Sequence, residues 1–305
     1  MARQNRSGFQ SSWLGGSLQI FPPDVAGDAY FVDATNGAST NNGSSWSDAM
    51  ATCDQAIDKC TANQGDTIFI APWHTESEAT AATSITTMDT AGVSLIGLTQ
   101  GNQRPTFTFT ANDAYFSVTA ANCRVSGIKI ISDVADMASG LTLGASADGA
   151  EIDNCIFTDG SAAKELVIGI SVTAACDGCK IHDNQFYTVD GGGCASAIKL
   201  VGESARTVIA NNYIFGDYSA ACIDGTTAAQ TIIIISDNVM RNVDTTAGSV
   251  IELHNSSTGL ITRNLGQAGK AITDTITAAA CMVCENYMSG AVSASGILDP
   301  AADAD

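Results

Sequence analysis

Positively charged side chains are scarce in this sequence. Its 305 residues include 13 Lys and Arg against 32 Asp and Glu, which gives a formal net charge of −19 at pH 7. The few basic residues are scattered along the chain rather than clustered. A phosphate backbone would be repelled by such a surface. We therefore expect no nucleic acid partner.

Long apolar segments are also missing. No window approaches the roughly 18 to 20 apolar residues of a membrane-spanning helix, and residues 1–16 lack the apolar core of a signal peptide. We expect neither membrane insertion nor export. We also expect the ten cysteines to be reduced, because cytosolic reductants oppose disulfide formation.

Proline is rare and glycine is common, with 5 Pro and 29 Gly. Short Ile and Val runs alternate with Gly, Ser, Thr, Asn and Asp, which is typical of many short strands joined by tight turns. Predicted early strands are 29–32, 67–71, 93–98 and 106–110. One helix is predicted over 47–60, because Met50, Cys53, Ile57 and Cys60 recur at spacings of three and four.

A repeat dominates the chain after residue 123. Its segments are VSGIKI (125–130), IDNCIF (152–157), IHDNQF (181–186), IANNYI (209–214), ISDNVM (235–240), ITRNLG (261–266) and VCENYM (283–288). Each begins with an apolar residue and most end with one, which predicts a strand, a polar corner and another strand. Stacking such units gives parallel strand ladders around an apolar interior.

The fourth position of these segments holds Asn in five of seven cases. Asn tolerates the left-handed backbone of a tight bend, and its amide both donates and accepts hydrogen bonds along a stack. We therefore predict a structural ladder of Asn184, Asn212, Asn238, Asn264 and Asn286.

The corners and the opening of the chain resemble one superfamily. The stretch AYFVDATNGASTNNGSSWSDAMATCDQAID (29–58) is similar to the first turn of many bacterial and phage β-helix proteins. Over roughly residues 28–292 the chain resembles the pectin-lyase-like right-handed parallel β-helix superfamily. The resemblance implies an all-β, right-handed parallel β-helix over 27–293, capped by the helix at about 47–60. An extended N-terminal arm (1–26) and a C-terminal tail (294–305) flank it.

Function follows less directly, because this architecture carries lyases, hydrolases, adhesins and virion spikes. An arm, a cap and a β-helix most resemble a phage tailspike or virion decoration protein. That resemblance implies a homotrimeric structural protein of the virion that binds host-surface polysaccharide. It would attach to a tail or capsid protein through 1–26, with candidate attachment residues Arg3, Arg6, Phe9 and Trp13. The alternatives are a polysaccharide lyase or glycoside hydrolase, and a capsid head-decoration protein.

An outward-facing apolar column follows the corners. On a monomer these positions should be polar, so a stripe over several turns predicts a contact surface. Coverage by the chain's own loops, subunit packing and sugar stacking are the three interpretations. The candidate residues are Ile131, Ile156, Tyr187, Tyr213, Phe215, Val239, Leu265 and Tyr287.

No catalytic, metal or cofactor site is predicted. Asp153, Asp183 and Asp237 are assigned to the corner before the ladder residue, where Asp suits the turn, although a stacked acidic column could bind Ca²⁺. The candidate bases fall in different columns, and His74, His182 and His254 lie in unrelated contexts. The CxxC pairs Cys176/Cys179 and Cys281/Cys284 could indicate zinc, but Cys123, Cys179 and Cys281 fall on the inward phase of a strand. They are therefore interpreted as small apolar core residues, with zinc binding and a disulfide as the alternatives.

Overall fold

The chain folds as a right-handed parallel β-helix, which confirms the predicted fold class. The computed structural model describes residues 11–14, 17–20, 27–188, 193–246, 248–269, 275–290 and 295–298. Three parallel sheets run along the helix axis, because each turn contributes one strand to each sheet in succession.

The first sheet has ten strands: β3 (Ala29–Val32), β4 (Thr67–Ile70), β7 (Ser94–Gly97), β10 (Arg124–Ser126), β13 (Glu151–Asp153), β16 (Lys180–His182), β19 (Val208–Ala210), β22 (Ile233–Ser236), β25 (Gly259–Thr262) and β28 (Met282–Cys284). The second also has ten: β5 (Thr75–Glu78), β8 (Thr106–Phe109), β11 (Lys129–Ser132), β14 (Ile156–Asp159), β17 (Gln185–Tyr187), β20 (Tyr213–Gly216), β23 (Val239–Asn242), β26 (Leu265–Ala268), β29 (Asn286–Gly290) and β30 (Ser295–Leu298).

The third sheet has eight strands: β6 (Ser84–Met88), β9 (Tyr115–Val118), β12 (Leu141–Leu143), β15 (Ile168–Val172), β18 (Ser196–Leu200), β21 (Ala221–Gly225), β24 (Ser249–Leu253) and β27 (Ile276–Thr277). Strands such as β8, β14, β23 and β26 bury alternate residues, and columns of like residues fill the interior. In the first sheet that column is Val125, Ile152, Ile181, Ile209, Ile235, Ile261 and Val283, all buried.

The second sheet packs its core less uniformly. The stacked rings of Phe157 and Phe186 have centroids 4.8 Å apart. Three turns later the inward position is Gly266, where an added Cβ would lie 2.4 Å from the Sδ atom of Met288. The glycine is required because the long Met288 side chain occupies that space.

The bend between the first and second sheets places one residue in the left-handed conformation in each turn. These residues are Gly127, Asn154, Asp183, Asn211, Asp237, Arg263 and Glu285. Each immediately precedes the ladder position, so our assignment of the left-handed conformation to the ladder asparagines was wrong by one residue. Asp153 was also misplaced: it ends strand β13 and pairs with His182 of β16, whereas Asn154 makes the bend.

The ladder asparagines form a continuous buried column of hydrogen bonds. The Oδ1 atom of Asn238 accepts from both the backbone N–H and the Nδ2 amide of Asn212, at 2.9 and 3.0 Å. Its own Nδ2 donates to Oδ1 of Asn264 at 2.9 Å and to the carbonyl of Ile209 at 3.0 Å. The same pattern links Asn184 to Asn212 and Asn264 to Asn286.

The predicted helix is much shorter than expected. A 3-10 turn covers Trp46–Asp48, and the α-helix α1 covers only Cys53–Ile57. Residues between them are extended, because the backbone of Met50 bonds to Phe31 and Asp33 beside strand β3. The apolar spacing was still informative, since Cys53, Ala56 and Ile57 are buried and close the N-terminal end of the core.

Short strands lie within both the predicted arm and the predicted tail. Strands β1 (Ser11–Leu14) and β2 (Ser17–Ile20) form an antiparallel hairpin. At the other end β30 pairs antiparallel with β29, so part of the predicted tail extends the second sheet. Arg3, Arg6 and Phe9 lie outside the described residues, and Trp13 lies within β1.

The cysteines are partly as expected. Cys123, Cys179 and Cys281 are buried core residues, but the sulfurs of Cys176 and Cys179 are bonded as a disulfide. The prediction of a reduced thiol was therefore wrong for this pair. Tight turns place the two buried side chains against the same carbonyl of Ala147 and so bring them together. Among the described residues, no helix is long and apolar enough to cross a membrane.

Candidate functional site

The predicted outward column lies on the solvent-facing side of the second sheet. Strand pairing places Lys129, Ile156, Gln185, Tyr213, Val239, Leu265 and Tyr287 in one register, with Ile131, Tyr187 and Phe215 in the parallel column two residues on. Ile131, Ile156 and Phe215 are half-buried, whereas Tyr187, Tyr213, Val239, Leu265 and Tyr287 are exposed. The apolar exposure is therefore concentrated toward the C-terminal turns.

Two tyrosines of this surface form an aromatic pair. The ring centroids of Tyr187 and Tyr213 are 5.7 Å apart on adjacent turns. Burial raises the pKa of Tyr187, and the neighbouring Tyr213 adds to the shift. Phe215 is less available, because the guanidinium of Arg241 lies over its ring at 5.2 Å. Tyr187, Tyr213 and Tyr287 are thus the exposed tyrosines of this surface, and the first two form a pair.

A charged cluster occupies the outward face of the first sheet on three successive turns. Arg124, Glu151 and Lys180 share one column, and Ser126, Asp153 and His182 share the next. The candidate bases that were predicted to fall in different columns did not include Arg124, so this grouping of Arg124, Lys180 and His182 with two carboxylates was not predicted. The two carboxylates of strand β13 face the same side because they are two residues apart.

Asp153 is the anchor of this cluster. Its side chain is 8% exposed and forms a two-pronged ion pair with Arg124, Oδ1 to Nε at 2.8 Å and Oδ2 to Nη2 at 2.9 Å. The hydroxyl of Ser126 donates to Oδ2 at 2.8 Å. The hydrogen bonds that Arg124 itself donates to Asp153 raise the pKa of Arg124. Arg124 is therefore a fixed cation, and Asp153 has little capacity left for a ligand.

Glu151 is the more accessible carboxylate. Its Oε1 lies 3.3 Å from Nε of Arg124 and 3.5 Å from Nε2 of His182, and its Oε2 lies 3.7 Å from Nζ of Lys180. The other ring nitrogen of His182, Nδ1, lies 2.7 Å from Oδ2 of Asp183. The imidazole is thus held between two carboxylates on an open sheet face, an arrangement suited to proton transfer.

Sequence reasoning missed this cluster although its signal is present. The residue immediately before the first inward position of each segment is Arg124, Glu151 and Lys180 in the first three turns, and Val208, Ile234, Leu260 and Met282 in the last four. The column therefore changes from charged to apolar along the axis. The predicted outward column lies after the corner, whereas this change from charged to apolar residues lies in a column before it.

The candidate Ca²⁺ column does not exist in the predicted form. Asp153 is held by Arg124, Asp183 by His182, and Asp237 by Arg263 at 2.7 Å. The Arg263 hydrogen bond lowers the pKa of Asp237. A Ca²⁺ site needs several convergent free oxygens, and these three carboxylates neither converge nor lack a cationic partner. The residues do not fit the ion.

A buried group of potential metal ligands lies beneath helix α1. Cys53, His74 and Glu76 bring one ligand atom each within 4.8 Å of one another. Nδ1 of His74 accepts the backbone N–H of Ala34 at 2.9 Å, so Nε2 carries the ring proton and donates to Oε1 of Glu76 at 2.7 Å. A protonated nitrogen has no lone pair for a metal. The group is therefore a hydrogen-bonded support for the helix.

Comparisons with known proteins agree with the fold. No protein family model matches the chain, and no curated protein matches its sequence. A rhamnogalacturonan lyase structure superposes with a TM-score of 0.52 and 13% identity, covering 79% of this chain and 74% of that chain. The pectate lyase Pel9A gives 0.46 and 15% over 89% and 83%. A GH136 lacto-N-biosidase from Eubacterium ramulus gives 0.28 and 10% over 86% and 67%.

At 13% identity, the similarity to the rhamnogalacturonan lyase shows a shared parallel β-helix and does not identify the chemistry. The fold that the pectin-lyase-like resemblance implied is thereby confirmed. The tailspike part of that resemblance, the trimer and the roles of the outward residues stay predictions.

Proposed function

We propose that this chain recognises a polysaccharide on its outer surface, at the turn that contains Lys180, His182 and Tyr187. The observation that carries the proposal is an aromatic pair and a charged cluster on adjacent sheets, which share the turn containing Lys180, His182 and Tyr187. Tyr187 and Tyr213 lie on the second sheet, and Glu151, Lys180 and His182 lie just across the bend on the first. Aromatic faces and a few placed polar groups are what a carbohydrate site requires.

The charge of the chain narrows the glycan class. At −19 overall, the surface repels polyanions at low ionic strength, and the exposed cation Lys180 is already near Glu151. A neutral polysaccharide therefore suits this surface better than a polyuronate. Its hydroxyls would exchange hydrogen bonds with Glu151 and His182 while a ring face rests on Tyr187.

Affinity electrophoresis against neutral, uronate-containing and sulfated polysaccharides tests this proposal. Tyr187→Ala and Tyr213→Ala should each weaken binding of the best neutral glycan by about 3- to 10-fold, the equivalent of a stacking contact of about 0.5 to 1.5 kcal/mol. Tyr115→Ala, at the start of β9 on the third sheet, is the matched control and should bind normally. The proposal would be contradicted if Tyr187→Ala and Tyr213→Ala bound the glycan as tightly as the Tyr115→Ala control.

At a finer level, we propose a homotrimeric virion spike, attached through residues 1–26 to a tail or capsid protein, that presents this surface to a host glycan. The similarity of residues 29–58 to phage β-helix openings supports the spike, and the exposed apolar column of the second sheet supports self-association. A chain lacking residues 1–26 should fold but fail to join particles. Normal incorporation would contradict attachment through the arm. Labelled protein found on the capsid head instead of the tail would identify a head-decoration protein.

A second candidate function, polysaccharide cleavage by a lyase or hydrolase, is favoured by one observation. Nε of Arg124 and Nε2 of His182 lie 3.3 and 3.5 Å from Oε1 of Glu151, a partly exposed carboxylate. Cleavage should release reducing ends or unsaturated products from the bound glycan. Glu151→Gln should abolish that release while binding persists, and Glu252→Gln on the third sheet should leave it unchanged. A wild-type chain that binds but releases nothing would exclude this function.

A further inference from the structure

A second exposed apolar surface lies on the first sheet, beyond the charged cluster. Ile234 and Met282 lie in its outward column, with the half-buried Leu260 between them and the half-buried Val208 in the turn before Ile234. Met282 is 68% exposed. Ile232, immediately before strand β22, extends this surface and is 58% exposed. We call Ile232, Ile234 and Met282 the first-sheet face.

Ile232 is held in an unfavourable conformation. Its φ is 57°, in the left-handed region that a β-branched residue rarely adopts. The equivalent bend position of the earlier turns is Arg206, Gly178, Gly149 and Asn122; none of these is β-branched, and Gly and Asn adopt this conformation more readily. The N–H of Ile232 donates to Oγ1 of Thr258 at 3.2 Å, but its exposed side chain gains no burial within one chain to offset the strain. Strain of this kind is typical of residues retained for contacts with a partner.

The apolar surface of the second sheet lies on the other side of the same bend. Val239, Leu265 and Tyr287 form one exposed column there, and we call them the second-sheet face. None of the six residues that form the two faces is charged, although the chain carries a net charge of −19; the charged residues of these columns lie in earlier turns. Two copies can therefore meet at these faces without bringing like charges together, whereas a basic partner would prefer the acidic surfaces elsewhere.

We propose that a second copy of this chain occupies each face, with the first-sheet face of one copy packed on the second-sheet face of the next. The inference rests on the proposed homotrimer and names its surfaces. In a cyclic trimer every copy presents two different surfaces to its two neighbours. Two unlike apolar faces on adjacent sheets, on either side of one bend, meet that requirement. A two-fold dimer would need only one self-complementary face.

Sedimentation velocity on two single variants and their mixture tests this arrangement. Ile234→Asp disables the first-sheet face and Leu265→Asp disables the second-sheet face, so each variant alone should be monomeric where the wild type is trimeric. Mixed in equal amounts, they retain one intact face each and should form a heterodimer. Thr277→Asp, exposed on the third sheet, is the control and should remain trimeric. Circular dichroism checks that all variants keep the β-helix.

The outcomes distinguish the pairing of unlike faces from the homotrimer itself. A mixture that stays monomeric, or either variant that remains trimeric alone, overturns the pairing of unlike faces. A wild-type chain that is monomeric at micromolar concentration overturns the homotrimer itself. Ile232→Gly adds an independent readout, because it should raise the unfolding midpoint of the monomer while increasing the dissociation constant at least several-fold. No loss of association in this variant would contradict a partner contact at Ile232.

Discussion

At the scale of single residues, the ladder asparagines and the bend residues beside them have different structural roles. The ladder position is buried and makes hydrogen bonds in both directions along the axis, as Asn238 does to Asn212 and Asn264. The bend position faces solvent and is occupied by Asn211, Asp237 or Arg263 in successive turns. Only the ladder position therefore demands an amide, because it alone must both donate and accept.

Asn238→Asp tests this division of roles. The carboxylate can still accept from Asn212 but cannot donate to the carbonyls of Ile209 and Ser236, and it carries a buried charge. We expect the free energy of unfolding to fall by about 2 to 4 kcal/mol, measured by urea denaturation at pH 7.

The matched control is Asn211→Asp, one residue before a ladder position. Asp183 and Asp237 already occupy the equivalent bend in the neighbouring turns, so this change should alter stability by less than about 0.5 kcal/mol. Similar losses in both variants would show that the column of amides has no special role.

At the scale of elements, helix α1 depends on a carboxylate from a strand. Glu76 of β5 accepts the N–H of Cys53, the first residue of α1, at 2.8 Å and the Nε2 proton of His74 at 2.7 Å. The orphan N–H groups at a helix start need such acceptors. A five-residue helix is marginal by itself, so this contact and the buried face of α1 hold the cap in place.

Glu76→Ala should therefore destabilise the N-terminal turns. It leaves two buried donors without an acceptor, and we expect a loss of about 2 to 4 kcal/mol. Hydrogen exchange should locate the added opening in α1 and β3. Glu78→Ala, two residues later in β5, removes only an exposed bond to the backbone of Thr80 and is the control. Equal loss from both changes would argue against the cap.

The strands were more predictable than the helix or the site, for physical reasons. Strand 29–32 was placed correctly and strand 67–71 to within one residue, because period-two burial and turn residues are local signals. The helix failed because Met50 pairs with a distant strand, which overrides its apolar spacing. The tyrosines were found from the repeat, whereas Arg124, Glu151 and Lys180 required the inter-turn register of a column that had not been compared.

At the scale of the whole molecule, net charge opposes association. Each added copy brings another −19, and apolar faces must overcome that repulsion. Screening shortens the Debye length from about 30 Å at 0.01 M salt to about 8 Å at 0.15 M. The proposed homotrimer should therefore tighten with added salt.

Sedimentation equilibrium across this salt range checks the expectation. The dissociation constant of the wild-type chain should decrease as NaCl is added, while the Leu265→Asp variant should stay monomeric throughout. Association that weakens with salt would mean that ion pairs, and not uncharged faces, hold the copies together.

The antiparallel strand β30 has a consequence for growth of the rod. Each sheet of a β-helix ends in an edge strand whose free N–H and C=O groups can recruit another chain. A further β-helix turn would have to add in the parallel sense, as every inner strand does. Because β30 runs against β29, the last rung of the second sheet offers the wrong hydrogen-bond pattern for that addition. Among the described residues, the second sheet therefore terminates in a strand of opposite direction, which disfavours end-to-end stacking of further turns on it while leaving the flanks available for lateral contacts.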